Sequence, residues 1–211
     1  MTFRSRSDAG QQLAQFLTDA NVSPDVIVGL PRGGVMVAVE LAGALHRPVD
    51  VLVVRKLGHP RFREFAVGAL AEGGVVLLHE EALRDSRVVR AELDAVVAEE
   101  TARLKAYQAL FESGKRTSLS GRSVLLVDDG LATGATMEVA VMSARKQGAA
   151  RVEVAVPVSS TTGYARLVKV ADAVHTLWID PQFEAVGQYY ARFPQVSDEE
   201  VRRALAVGRV S

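Results

Sequence analysis

Cysteine is absent from the 211-residue chain, which excludes a disulfide scaffold, thiol catalysis and cysteine-ligated metal. Charge of one sign is not in excess either. The 25 acidic residues balance 25 basic ones, so no net field draws the protein toward nucleic acid or a lipid surface. Long hydrophobic runs are missing, and the fully apolar stretches are far too short to span a bilayer. The opening MTFRSRSDAGQQLAQFL lacks the uninterrupted apolar core of a signal peptide. These absences give the expectation of a cytoplasmic chain with no nucleic acid and no membrane among its partners. Internal repeats, low-complexity tracts and linkers are also lacking, and the length suits a single domain over 1–211.

Missing motifs narrow the chemistry further. No GxxxxGK[ST] loop is present, because Gly130 to Met137 contains no lysine, and no GxGxxG follows a strand. A DxDGT phosphatase would need a second aspartate where Gly130 stands. The histidines at 46, 59, 79 and 175 show no metal-ligand spacing.

What is present is a series of apolar strands separated by helices. DVIVGL (25–30), DVLVVRK (50–56), GVVLLH (74–79), SVLLVDD (123–129), RVEVAVPV (151–158) and AVHTLWI (173–179) read as strands. Helices are expected from Asp8 to Ala20 with a Ser7 or Asp8 cap, over 35–45, about 134–147, 159–170, and after Ser197. Residues 57–74 read as a loop or hairpin. A long helix is expected over about 80–113, because Val89, Leu93, Val96, Glu100, Leu104, Tyr107 and Phe111 fall three and four apart. Its stripe suits the core or a partner subunit, so a homodimer stays open. Strands apolar along their whole length point to a doubly wound α/β fold, a mainly parallel sheet with helices on both faces.

In such sheets ligands sit beyond the carboxyl ends of the strands. Three turns leaving those ends are unusual: PRGG (31–34), RKLGHP (55–60) and DDGLATGAT (128–136). In the last, small residues open a helix, where free backbone N–H groups and the macrodipole favour an anion. Gly134 permits close approach, and Thr133 and Thr136 add hydroxyl donors. Asp128 and Asp129 would repel a phosphate unless sugar hydroxyls or Mg²⁺ sat between them and it. A phosphorylated ribose meets both demands. Arg32, Gly33 and Gly34 offer a second anion site, and Arg55 and Lys56 add cations for a more highly charged phosphate group.

VLLVDDGLATGAT closely resembles the phosphoribosyl pyrophosphate (PRPP) binding signature of the type I phosphoribosyltransferases. GLPRGG sits where that family has its pyrophosphate loop, and VRKLGHP is similar to a stretch of the adenine enzymes. The resemblance implies a five-stranded core and a small hood, here expected from parts of 57–79 and 178–196. It implies Mg²⁺·PRPP as substrate and pyrophosphate as product, in nucleotide salvage. Ala132, Thr133, Gly134, Ala135 and Thr136 would hold the 5′-phosphate. Asp128 and Asp129 would serve the ribose hydroxyls and the metal. Arg32, Gly33, Gly34 and Lys56 would hold pyrophosphate, with a non-proline cis peptide within 31–33. Ala132 replaces the aspartate usual in 6-oxopurine enzymes, which argues against hypoxanthine or guanine as acceptor. The family's flexible loop is expected in 57–74, with Arg61, Arg63 and Glu64, or displaced by the long helix. Phe183, Tyr189 or Tyr190 is a candidate to stack on a base, although an aromatic there more often packs in the core. A PRPP-binding regulator without catalysis and a sugar-phosphate or PRPP hydrolase are the alternatives.

Overall fold

Parallel strands buried on both faces need apolar side chains at every position, and VIVG and SVLLV supply them. The computed structural model describes residues 2–78, 90–111 and 116–208. In chain order the elements are α1 (Arg6–Asp19), β1 (Val26–Gly29), α2 (Gly33–Leu45), β2 (Val49–Val51), β3 (Val54–Gly58), β4 (Ala66–Ala71) and β5 (Val75–Leu78). They continue as α3 (Arg90–Ala109), β6 (Ser123–Val127), α4 (Ala135–Lys146), β7 (Arg151–Ser160), α5 (Thr161–Leu167), β8 (Ala173–Asp180) and α6 (Asp198–Gly208).

The main sheet has five strands in the order β2-β1-β6-β7-β8, every neighbouring pair parallel. Alternation along each strand divides the core in two. Ile27, Leu125 and Val127 pack with α1, α2 and α6 on one face. Val26, Val28, Val124 and Leu126 pack with α4 and α5 on the other. The expected doubly wound sheet is therefore present, accompanied by a small antiparallel sheet of order β3-β4-β5. That small sheet lies between α3, which contributes Leu93, Val96 and Leu104 to the first core, and α4.

Several boundaries differ from the sequence reading. Residues 50–56 do not form one strand: β2 ends at Val51, and β3 begins at Val54 in the other sheet. The reason is a buried carboxylate. Glu72 Oε1 accepts the Val53 amide at 2.8 Å, so the backbone leaves the main ladder there. Helix α1 begins at Arg6 under a Ser5 cap rather than at Asp8, because Arg4 takes the Asp8 carboxylate through its amide at 2.9 Å and its guanidinium at 2.7 Å. The expected helix over 80–113 is described as α3 and a turn to Phe111; Val89 and the rest of 79–89 and 112–115 lie outside the described residues. The expected loop or hairpin at 57–74 is a hairpin of β3 and β4. Ser197 caps α6, exchanging bonds with Glu200 in a capping box.

Candidate functional site

Strands β1 and β6 are neighbours in register, Gly29 against Val127, so the turns that leave them meet. Both turns are shaped by glycine. A Cβ added at Gly33 would fall 1.9 Å from Asp129 Oδ2, and one at Gly34 would fall 2.6 Å from the Val127 carbonyl and 2.9 Å from Asp128 Oδ1. The PRGG turn therefore lies directly against the acid pair, closer than any side chain allows. The peptide between Pro31 and Arg32 is cis, within the expected window. Arg32 is exposed at the start of α2 with no side-chain capping bond.

The acid pair is partly buried. Asp128 Oδ1 accepts the Asp129 amide at 2.8 Å. Burial, then the Asp129 charge beside it, pushes Asp128 well above the ordinary carboxylate range. Burial raises Asp129 as well, against the opposing guanidinium of Arg6. Arg6 Nε donates to Asp129 Oδ2 at 2.7 Å, and the two side chains are only 11% and 14% exposed. Asp129 is held by its main chain too, since the Tyr190 hydroxyl donates to its carbonyl at 2.6 Å.

The next turn presents donors. Gly134, at φ 73°, starts α4 in the left-handed region that favours glycine, and a Cβ there would strike Leu167 at 2.6 Å. Ser160 fixes the loop from below. Its amide donates to the Leu131 carbonyl at 2.8 Å, and its hydroxyl bonds the Ala132 carbonyl. The Gly134 carbonyl accepts from the Glu138 amide at 2.9 Å. Among the described residues, the amides of Thr133, Gly134 and Thr136 have no acceptor, which leaves donors open at a helix start. Ala132 and Thr133 are exposed, Ala135 and Thr136 half-buried.

The cations after the second strand, Arg55 and Lys56, lie in β3 of the small sheet. Arg55 Nε is paired with Glu100 Oε2 of α3 at 2.6 Å, so its charge is already engaged; Lys56 is exposed. Both line a cavity of about 580 Å³ with Arg63, Glu64, Glu99 and Arg103. Arg61 and Arg63 reach α3 through Glu92 and Glu99, at 3.1 and 2.8 Å. Of the aromatic candidates, Tyr189 and Tyr190 are buried, 2% and 6% exposed, so neither ring is open to a base. Tyr189 is buried against Trp178 and Phe183, with its hydroxyl on Asp180 at 2.8 Å. Phe183 alone of the three is half-exposed.

Arg6, Tyr190 and Ser160 are the participants that spacing does not reveal. Arg6 stands 123 residues from Asp129 in an arginine- and serine-rich opening, and nothing local marks it.

The five-stranded parallel sheet is of the phosphoribosyltransferase type, and the turns at its strand ends carry an acid pair against a glycine turn and a donor-lined loop. The profile of the phosphoribosyl transferase domain family matches residues 5–191, and the chain belongs to that family. Among solved structures it is similar to the TT1426 protein of Thermus thermophilus, at 41% identity and a TM-score of 0.82, covering 97% of this chain and 98% of that one. It is also 45% identical over 200 residues to the Mycobacterium tuberculosis proteins named "Putative phosphoribosyl transferase Rv0571c" and "Putative phosphoribosyl transferase MT0597". That alignment takes in 94% of this chain but only 45% of either relative, so the chain spans about half their length. No helix among the described residues is long and apolar enough to cross a membrane.

Proposed function

We propose that the protein is a Mg²⁺-dependent phosphoribosyltransferase that moves ribose 5-phosphate from PRPP to a nitrogenous acceptor and releases pyrophosphate. The observation that carries this reading is the contact of the PRGG turn with the acid pair, with the unpaired amides of 133, 134 and 136 on the next turn. The 5′-phosphate sits on Ala132 to Thr136, the ribose hydroxyls donate to Asp128 and Asp129, and pyrophosphate rests on Arg32, Gly33 and Gly34. Lys56 is the remaining exposed cation of the small sheet and extends the pyrophosphate site.

Two adjacent carboxylates offer the hard oxygen donors that suit Mg²⁺, which usually takes one or two carboxylates and completes its shell with phosphate oxygens and water. Bound Mg²⁺ would neutralise charge building on the leaving group. The protein's own residues orient and bind. As the C1–oxygen bond breaks, its electron pair leaves with pyrophosphate, and the Arg32 guanidinium and turn amides receive that charge. The carboxylates hold the sugar by its hydroxyls, fixing C1 for the acceptor nitrogen's lone pair. No protein nucleophile takes part.

The acceptor is a nucleobase or a related nitrogen compound, and the reaction serves nucleotide salvage in the cytoplasm. The test is pyrophosphate release from Mg²⁺·PRPP across a panel of nitrogenous bases. Release that needs one acceptor supports transfer; equal release with water alone would replace transferase with hydrolase. PRPP binding without release under any acceptor would replace it with a regulator.

A further inference from the structure

We infer that Arg6 is a positioning residue for PRPP, clamping Asp129 so that the acid pair can present oxygens to the sugar. This rests on the phosphoribosyltransferase reading and adds to it a residue from the far end of the chain.

The guanidinium is fixed on three sides. Nε donates to Asp129 Oδ2 at 2.7 Å, one terminal nitrogen donates to the Pro194 carbonyl at 2.8 Å, and the group lies 3.7 Å from the centre of the Phe193 ring. A flexible surface pair has no such anchoring. Here both partners are largely buried, so the orientation of Arg6 dictates that of Asp129. Gly33 belongs to the same arrangement. A Cβ at Gly33 would fall 2.9 Å from Arg6 Nε as well as against Asp129 Oδ2, so the missing side chain makes room for the ion pair.

The consequence for the site is a division of labour within Asp129. One oxygen is committed to Arg6, and the positive charge offsets the repulsion between two adjacent carboxylates. The same clamp joins the turn after β6 to the 190–194 segment, whose Tyr190 hydroxyl holds the Asp129 carbonyl and whose ring packs on Phe3. The sugar-facing carboxylate is thus held by the first turn of α1 and by the segment before α6.

The experiment compares wild type, Arg6→Met and Arg6→Lys by calorimetric titration, with Mg²⁺·PRPP and, separately, inorganic phosphate as probes. Thermal melting is recorded for each protein. We expect Arg6→Met to bind Mg²⁺·PRPP about tenfold or more weakly, as for loss of a hydrogen bond to a charged group. Phosphate binding should stay within about twofold of wild type, since its loop does not touch Arg6, and Arg6→Lys should recover part of the PRPP affinity. A merely structural staple would lower phosphate and PRPP affinity together, in step with the melting temperature. That pattern, or unchanged PRPP affinity in a folded Arg6→Met, overturns the inference alone. Wild type that fails to bind Mg²⁺·PRPP overturns the functional reading and this inference with it.

Discussion

Two close sets of acidic side chains among the described residues are treated in opposite ways. Asp50 and Glu72 lie where β2 gives way to the small sheet, 2% and 4% exposed. Asp50 accepts the Val51 and Thr117 amides, each at 2.8 Å; Glu72 accepts the Val53 amide and the Arg116 guanidinium, the latter at 2.6 Å. The Arg116 guanidinium also donates to the Val51 carbonyl, so the cluster ties the two sheets together. At the rim, Asp128 and Asp129 are adjacent and keep more exposure; Arg6 pairs with Asp129, and the Asp129 amide serves Asp128. Burial raises Glu72 too, yet Arg116 opposes the rise, whereas the nearest charge to Asp128 is another carboxylate. The first cluster ties two sheets together; the rim pair, on the function proposed above, keeps oxygens for a ligand.

Substitutions can break that contrast. Asp128→Asn with Asp129→Asn should abolish Mg²⁺·PRPP binding in a calorimeter while the protein still melts cooperatively, because relief of two crowded charges offsets the weakened Arg6 pair. Arg116→Met should do the reverse. It takes the Arg116 guanidinium from the buried Glu72 and Asp50, a loss of about 3–5 kcal/mol in urea unfolding, with PRPP affinity retained. Equal effects of these two changes on binding would erase the distinction. Gly33→Ala sharpens it, since the new methyl collides with Asp129 and should weaken Mg²⁺·PRPP about tenfold in the same titration. Arg32→Ala should be milder and more selective, weakening pyrophosphate inhibition several-fold with little change for ribose 5-phosphate. Parallel loss of both ligands would remove Arg32 from the leaving-group side.

How much of this was legible in the sequence depends on distance along the chain. The rim at 128–136 could be read because strand, acid pair, glycine and helix start are contiguous, and each has a local signature. The sheet was legible for the same reason: runs such as VIVG and SVLLV have no polar face to show. The split of 50–56 between two sheets was not, because the carboxylate that takes the Val53 amide comes from Glu72, beyond a hairpin. Arg55 looked like a free cation until α3 brought Glu100 to it across 45 residues. Tyr189 and Tyr190 looked like stacking platforms because exposure is not written in an aromatic's identity. Tyr190 packs on Phe3, at the other end of the chain, at 5.4 Å between ring centres. Long-range partners are the part of a site that spacing rules do not see.

The turn at 131–136 is polarised by Ser160. The carbonyls of Leu131 and Ala132 are taken up by that one residue and that of Gly134 is spent inside its helix; among the described residues the Thr133 carbonyl is left beside the open amides of 133, 134 and 136, a surface richer in donors than in acceptors. Such a surface sorts visitors by sign before it sorts them by shape. Sulfate and arsenate should enter it as readily as phosphate, and a neutral sugar lacking its phosphoryl group should find nothing there to hold.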